Sequence, residues 1–372
     1  MRSRLVFVLV LVLEGCGTPK TTDPGSVVGI SPGTSPAEPP KPRTPEPYEP
    51  GASPTDVVSP YVRPEHSSRL GVPLPKGRAR PRWTFTLDPK LDPAFVLTTG
   101  TRIVVQGRPT GAATARQTPF VVLDTRGVRV GNDLLPGEHV RLDPLQGKLY
   151  GVGGAELPSA WKLADASYSA DKLGADDPRS VLGALAVRAT AHDGTHVFIT
   201  KTSVEIDARA AGQQRTVVEA PVQPLDAAID EEANLHVIVR QDRDLALWTT
   251  PLAGGSVGRI RLGPLRRDRA DVPPILGKGV RVVILDDRMT GIGPDGRTLW
   301  ERRGALTGGA TLTSDDRLLV ATDAKVLAID PSGRTTEVLS APREIFITPP
   351  ILTASGLLLV ASGSRLHAFA FE

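Results

Sequence analysis

The chain is nearly without cysteine: Cys16 is the only one in 372 residues, so the body of the protein can form no disulfide and offers no thiolate to a metal. Aromatic residues are also scarce, at 4%, and a core must be packed from Val, Leu, Ile and Ala, which suits sheets stacked on sheets. A charge excess is lacking as well. The formal net charge is +3 and Arg and Asp are interleaved along most of the chain, which argues against nucleic acid as a partner. Beyond Pro81 there is almost no stretch of helical period.

What is present begins at the N-terminus. Arg2 and Arg4 form a basic segment, and Leu5 to Leu13 is an uninterrupted run of nine apolar residues. A hydrocarbon core needs about twenty, so the run reads as a signal peptide over residues 1–15 rather than an anchor helix. Its end, Leu13-Glu14-Gly15-Cys16, resembles the lipobox of bacterial lipoproteins, with Glu14 a departure from the small or apolar residue usual there. That resemblance implies cleavage before Cys16, lipidation of its thiol and a membrane anchor; two or three acyl chains hold firmly at about 0.8 kcal/mol per buried methylene. Gly17 stands where Asp would resemble an inner-membrane retention signal, and so favours the outer membrane.

Residues 16–81 differ sharply in composition, with 16 of the 35 prolines falling between Gly17 and Pro81. Proline blocks helix and ladder pairing and the apolar content is low, so a disordered, semi-rigid linker is expected there. At about 3.1 Å per residue its contour approaches roughly 200 Å.

From residue 82 to 372 short apolar runs alternate with Gly, Asp, Ser and Pro, the pattern of an all-β domain. Three C-terminal units align: PPILGKGVRVVILDDRMTGIGPDGRTLW (273–300), GATLTSDDRLLVATDAKVLAIDPSGRTTEV (309–338) and PPILTASGLLLVASGSRLHAFAFE (349–372). Equivalent turns fall at Gly100, Gly147, Gly194, Asn234, Gly279, Asp316 and Gly356, about 43 residues apart on average. Gly, Asn and Asp are the residues that accept the positive φ of such turns. The period is that of a four-stranded blade, and seven turns predict a seven-bladed β-propeller. The last unit stops after three strands at Phe371 while RWTFTL at 82–87 is left over; pairing it onto the last blade closes the ring, with Trp83 expected to pack against that blade.

The pattern resembles the pyrroloquinoline-quinone-type propeller repeat, carried by Ala328, Asp330 and Gly333 in LAIDPSG and by Gly296 with Trp300 in GRTLW; Glu337 stands where the next blade would repeat the Trp. A lipid-anchored propeller of this kind is similar to the lipoprotein subunit of the outer-membrane β-barrel assembly machinery, which implies a scaffolding role.

No catalytic constellation emerges. Gly291, Gly293 and Gly296 satisfy GxGxxG, and Gly254, Ser256 and Gly258 satisfy GxSxG, but strand-like RTLWERR and VGRIRL follow where each chemistry needs a helix. His192 and His196 flank a hairpin turn without further ligands, so no metal is expected. A quinone cofactor would need a calcium site, and the acid pairs Asp286-Asp287 and Asp315-Asp316 read as ordinary turn residues, so no cofactor is expected either. One charged stretch stands out: RIRLGPLRRDR carries Arg259, Arg261, Arg266, Arg267 and Arg269 against one Asp and can attract an anionic partner. The sequence thus predicts a monomeric, membrane-tethered propeller that binds an envelope protein or polymer. The alternative is a periplasmic propeller enzyme, a lactonase-like hydrolase or a quinoprotein, with its site at the central channel.

Overall fold

The computed structural model describes Val57 and residues 68–111, 116–143, 146–152, 160–169, 187–191, 195–208, 213–264, 273–285, 288–304 and 306–372. These residues form an all-β propeller of seven four-stranded antiparallel sheets. Blades 1 to 6 span 93–136, 139–169, 187–218, 223–264, 275–303 and 309–340, each with its strands in chain order. Blade 7 takes three strands from 351–371 and its fourth, Ala79–Thr86, from the other end of the domain.

The first strands of neighbouring blades touch one another, as Gln223–Ile229 touches Ile275–Leu276 and that in turn touches Gly309–Leu312, so first strands surround the central axis. Inner strands are covered on both faces and read as continuous apolar runs; Arg281–Leu285, RVVIL, is buried in four of its five residues. Fourth strands have one solvated face, and Thr298–Arg303, TLWERR, keeps only Trp300 buried.

One turn recurs between strands and has a local cause. Asp124 accepts backbone N–H groups from Arg126 and Val128 and Asp330 from Ser332 and Arg334, leaving Gly127 and Gly333 at φ of 78° and 84°. Asp230 does the same for Glu232 and Asn234. The residue at positive φ there is Ala233, not the expected Asn234, which opens the next strand and ties its own amide to Asp230. Elsewhere on the expected ruler, Gly147, Asp316 and Gly356 do adopt positive φ, Gly100 and Gly279 lie in their turns without it, and Gly194 lies outside the described residues.

Ring closure joins Ala79–Thr86 to Arg365–Phe371, with Trp83 opposite Ala368 and a bulge between Pro81 and Trp83. Trp83 packs against the core cluster that blade 7 shares with its neighbours, and it also reaches across to blade 1. Its indole donates to the Thr125 carbonyl at 3.1 Å and its ring covers Gly127, so it stitches blade 7 to blade 1. Trp300 repeats the arrangement, its ring over Gly333 of blade 6. The outermost strand of one blade thus seats an aromatic on the glycine turn of the next.

His367 sits in the closure seam, its Nδ1 3.1 Å from Thr84 Oγ1 and its Nε2 3.4 Å from Glu344 Oε2. Burial pushes its pKa below the usual 6.5; the Glu344 carboxylate works in the opposite direction and Arg365 adds to the lowering. Between the folded and unfolded values the unfolded chain binds more protons. This contribution is therefore fully present above about pH 6.5 and is lost as the pH falls through that value toward the folded one. Denaturant melts between pH 7.5 and 5 should show that loss, and His367→Gln should flatten this part of the profile. An unchanged slope in the variant would remove His367 from the seam's pH response.

The domain begins earlier than residue 82. Leu70 and Val57 are each 1% exposed and join the same core cluster as blades 6, 7, 1 and 2. Proline content alone placed the boundary too late: Leu70, Val72 and Leu74 alternate, and the segment obtains its backbone partners from the ring rather than from a ladder of its own.

Candidate functional site

Two surfaces concentrate functional chemistry. The first is the outer edge of blade 4, the strand Gly258–Pro264. Arg259 and Arg261 are two residues apart and share one face of it, both exposed. The Arg259 guanidinium lies 4.4 Å from the centre of the Trp248 ring, which orders it, and Arg261 pairs with Asp244 at 2.6 Å while its side chain stays 76% exposed. Arg288 of blade 5 donates to the Leu262 carbonyl at 2.7 Å and fixes the edge against its neighbour. Arg266, Arg267 and Arg269, which follow this strand, lie outside the described residues, as does Cys16.

The second surface is the end of the central axis where first strands turn into second strands. Here Ser68 to Val72 runs parallel to Gly309–Leu312, the innermost strand of blade 6. Leu70 N–H donates to Leu312 O at 2.6 Å, Leu312 N–H to Ser68 O at 2.9 Å and Ser314 N–H to Val72 O at 2.9 Å. Val57 makes a reciprocal pair of bonds with Thr98 at the matching end of blade 1. The chain's own N-terminal strap thus occupies inner edges of the two blades that flank blade 7.

Arg69, 4% exposed, anchors the strap. Its guanidinium reaches Glu231 of blade 4 at 2.6 Å and Asp316 of blade 6 at 3.7 Å, and donates to the Ser314 carbonyl at 3.1 Å. Lys278 of blade 5 stands 3.6 Å from Glu231, and the Asp316 carboxylate accepts the backbone N–H of Lys278 and Gly279. Asp315 accepts Leu74 N–H at 3.0 Å. The acid pair Asp315-Asp316 is therefore more than a turn: it staples two blades and the strap together. Sequence spacing carried no sign of this, because the partners lie at least 37 residues away along the chain.

The tempting motifs resolve into blade structure. Gly291 lies under Trp300, where a Cβ would come within 2.2 Å of the ring; Gly293 and Gly296 form the turn that follows, Gly296 at φ 81°. A strand, Thr298–Arg303, comes next, so no helix N-terminus faces a phosphate. Gly254 to Gly258 is likewise the turn between strands Asp244–Pro251 and Gly258–Pro264. His196 is buried on the strand His196–Ile199, while His192 and Asp286-Asp287 lie outside the described residues.

An Asp-His-Thr chain that spacing did not reveal runs through blade 4. His236 Nε2 is 2.7 Å from Asp230 Oδ2 and its Nδ1 is 3.0 Å from Thr249 Oγ1. Burial works to raise the Asp230 pKa, but hydrogen bonds from His236 and Asn234 and the attraction of His236 outweigh it and hold the carboxyl below its usual range. The order resembles a catalytic triad, yet His236 is 0% exposed. A fully enclosed imidazole cannot meet a substrate, and the chain serves as a strut from the turn to the third strand.

No family model matches the chain, and no curated protein matches it. Among solved structures it is similar to a streptogramin B lyase, at 12% identity and a TM-score of 0.47 over 78% of this chain and 97% of that one. It is also similar to the RRP9 WD40 repeats, at 12% and 0.49 over 79% and 100%, and to the Dos1 propeller, at 7% and 0.49 over 78% and 95%. The likeness is one of fold, and no activity is carried across from these proteins.

Proposed function

We propose that the protein is a lipoprotein, tethered through Cys16 to the outer membrane and released from a signal peptide over residues 1–15, whose propeller is a scaffold for an envelope protein or polymer. The observation that carries this reading is the exposed basic edge of blade 4, where Trp248 holds the Arg259 guanidinium in place and Arg261 projects beside it. An ordered, exposed pair of guanidinium groups is a recognition device for carboxylates or phosphates, and Arg266, Arg267 and Arg269 follow it in the chain. The seats of Trp83 on Gly127 and of Trp300 on Gly333 support the kinship with pyrroloquinoline-quinone-type repeats, and with it the comparison to the propeller subunit of the β-barrel assembly machinery. The tether also suits the ring closure. The N-terminal segment is itself the outer strand of blade 7, so the leash is continuous with the ring wall.

Two measurements test the reading. Replacing Cys16 by Ser should move the protein from the membrane to the soluble fraction and abolish incorporation of radiolabelled palmitate; unchanged fractionation would end the anchoring proposal. Arg259→Glu with Arg261→Glu should remove the principal adducts recovered from cross-linked cells, at a cost to the fold of about 1–2 kcal/mol from the lost Trp248 contact and the lost Asp244 pair, which leaves the propeller folded. An unchanged set of adducts would remove the blade 4 edge from partner binding.

A further inference from the structure

We propose that the turn end of the central axis is a strand-binding site for an extended, arginine-bearing peptide of a partner protein, and that residues 68–74 are its resident occupant. Recognition of an extended peptide by strand addition needs three things: an open sheet edge, seats for alternate side chains and a group that fixes register. The innermost strand of blade 6 supplies the edge, and its Leu312 and Ser314 exchange three backbone hydrogen bonds with Ser68, Leu70 and Val72. Core contacts supply the seats, since Leu70 and Val72 are buried and belong to the cluster formed by blades 6, 7, 1 and 2. The third element is a guanidinium receptor made by three different blades: Glu231 of blade 4, Asp316 and the Ser314 carbonyl of blade 6, and Lys278 of blade 5, which holds Glu231 from its other side.

This receptor is more specific than strand pairing requires. A buried ion pair contributes little to stability over an apolar contact, but it does select one register and one partner residue. Asp316 is held at φ 59° and oriented by the N–H groups of Lys278 and Gly279, so its carboxylate is positioned by the ring and not by the strap. The receptor is thus built into the propeller and would persist with the strap withdrawn. The strap is joined to the ring through Pro73 and Pro75, and Gly77 N-terminal to the outer strand of blade 7 packs against Glu372. A competing strand of pattern Arg-Leu-x-Val would exchange with it at an unchanged ring. The site does not depend on the lipid anchor.

The test uses the full chain and a fluorescein-labelled peptide of residues 66–76, HSSRLGVPLPK. Leu70→Asp places a carboxylate in an apolar seat and should expel the strap. The peptide should then bind the variant saturably, at least tenfold more tightly than wild type, and replacing its arginine by alanine should weaken binding at least tenfold. Absence of saturable binding to a folded Leu70→Asp protein, or equal binding of the alanine peptide, would overturn the proposal. Should that variant not fold, Val72→Cys in a Cys16→Ser background gives a second measurement. Excess unlabelled peptide should accelerate maleimide labelling of the introduced thiol at least fivefold, and an unchanged rate would overturn the proposal as well.

Discussion

Deleting residues 79–86 should lower the melting temperature by at least about 10 °C and make the protein aggregate on heating. The strand lost is the outer wall of blade 7, paired with Arg365–Phe371 at seven positions from Ala79 to Thr86. Its removal exposes a row of unpaired backbone groups on a long strand, which is a template for association. It also removes Trp83 from Gly127 and the Thr125 carbonyl, so the joint between blades 7 and 1 opens along with the blade itself. Trp83→Ala alone isolates the joint. A half-buried indole loses less than a fully buried one, and a cost of about 2 kcal/mol corresponds to roughly 3 °C in a domain of this size. Truncation at Ser364 should match the deletion from the other side, because it removes the strand that Ala79–Thr86 pairs with. Calorimetry and light scattering of the three variants check the ordering. A deletion variant that melts with wild type would show that the ring closes within 351–371.

The architecture was legible because it is written in local chemistry. Turns need Gly, Asp or Asn at nearly fixed intervals, and inner strands need apolar runs, so a ruler laid on turn residues finds each blade. Closure was legible by subtraction, from a blade lacking a strand and a strand lacking a blade. Its consequence for Trp83 was not. Trp300 is marked as part of a repeat by standing four residues after Gly296, whereas Trp83 holds the corresponding position in blade 7 with its own blade's turns at the far end of the chain, and no spacing connects them. The strap was hidden for another reason. In RLGVPLP the alternation of Leu70, Val72 and Leu74 is a strand signal, but prolines on both sides marked the segment as linker. Burial of Arg69 follows from three blades meeting at one point, and no local pattern encodes that. At the basic edge, sequence located Arg259 and Arg261 by charge alone; Trp248, which orders one of them, lies a strand away.

Gly291→Ala should cost about 3 kcal/mol, and nearly all of that cost should vanish in a Trp300→Ala background. Gly291 faces Trp300 across the third and fourth strands of blade 5, and an added Cβ would lie 2.2 Å from one ring carbon and 2.4 Å from the indole nitrogen. The ring, 9% exposed, must leave its seat to make room. It then loses burial worth a few kcal/mol together with its cover over Gly333, where Arg302 also binds the carbonyl. Without the ring, the alanine meets only space the indole had filled. The double-mutant cycle should therefore yield a coupling energy near the whole single-site cost. Gly333→Ala is the contrasting case: its φ of 84° strains any side chain by about 1–2 kcal/mol, and the 2.7 Å approach is to the Cβ of Trp300, which alanine retains, so most of its cost should survive in the Trp300→Ala background. Denaturant melts of the five variants supply the cycle. Additive costs at Gly291 and Trp300 would mean that the glycine is not there to seat the ring, and the GxGxxG motif would again need an explanation of its own.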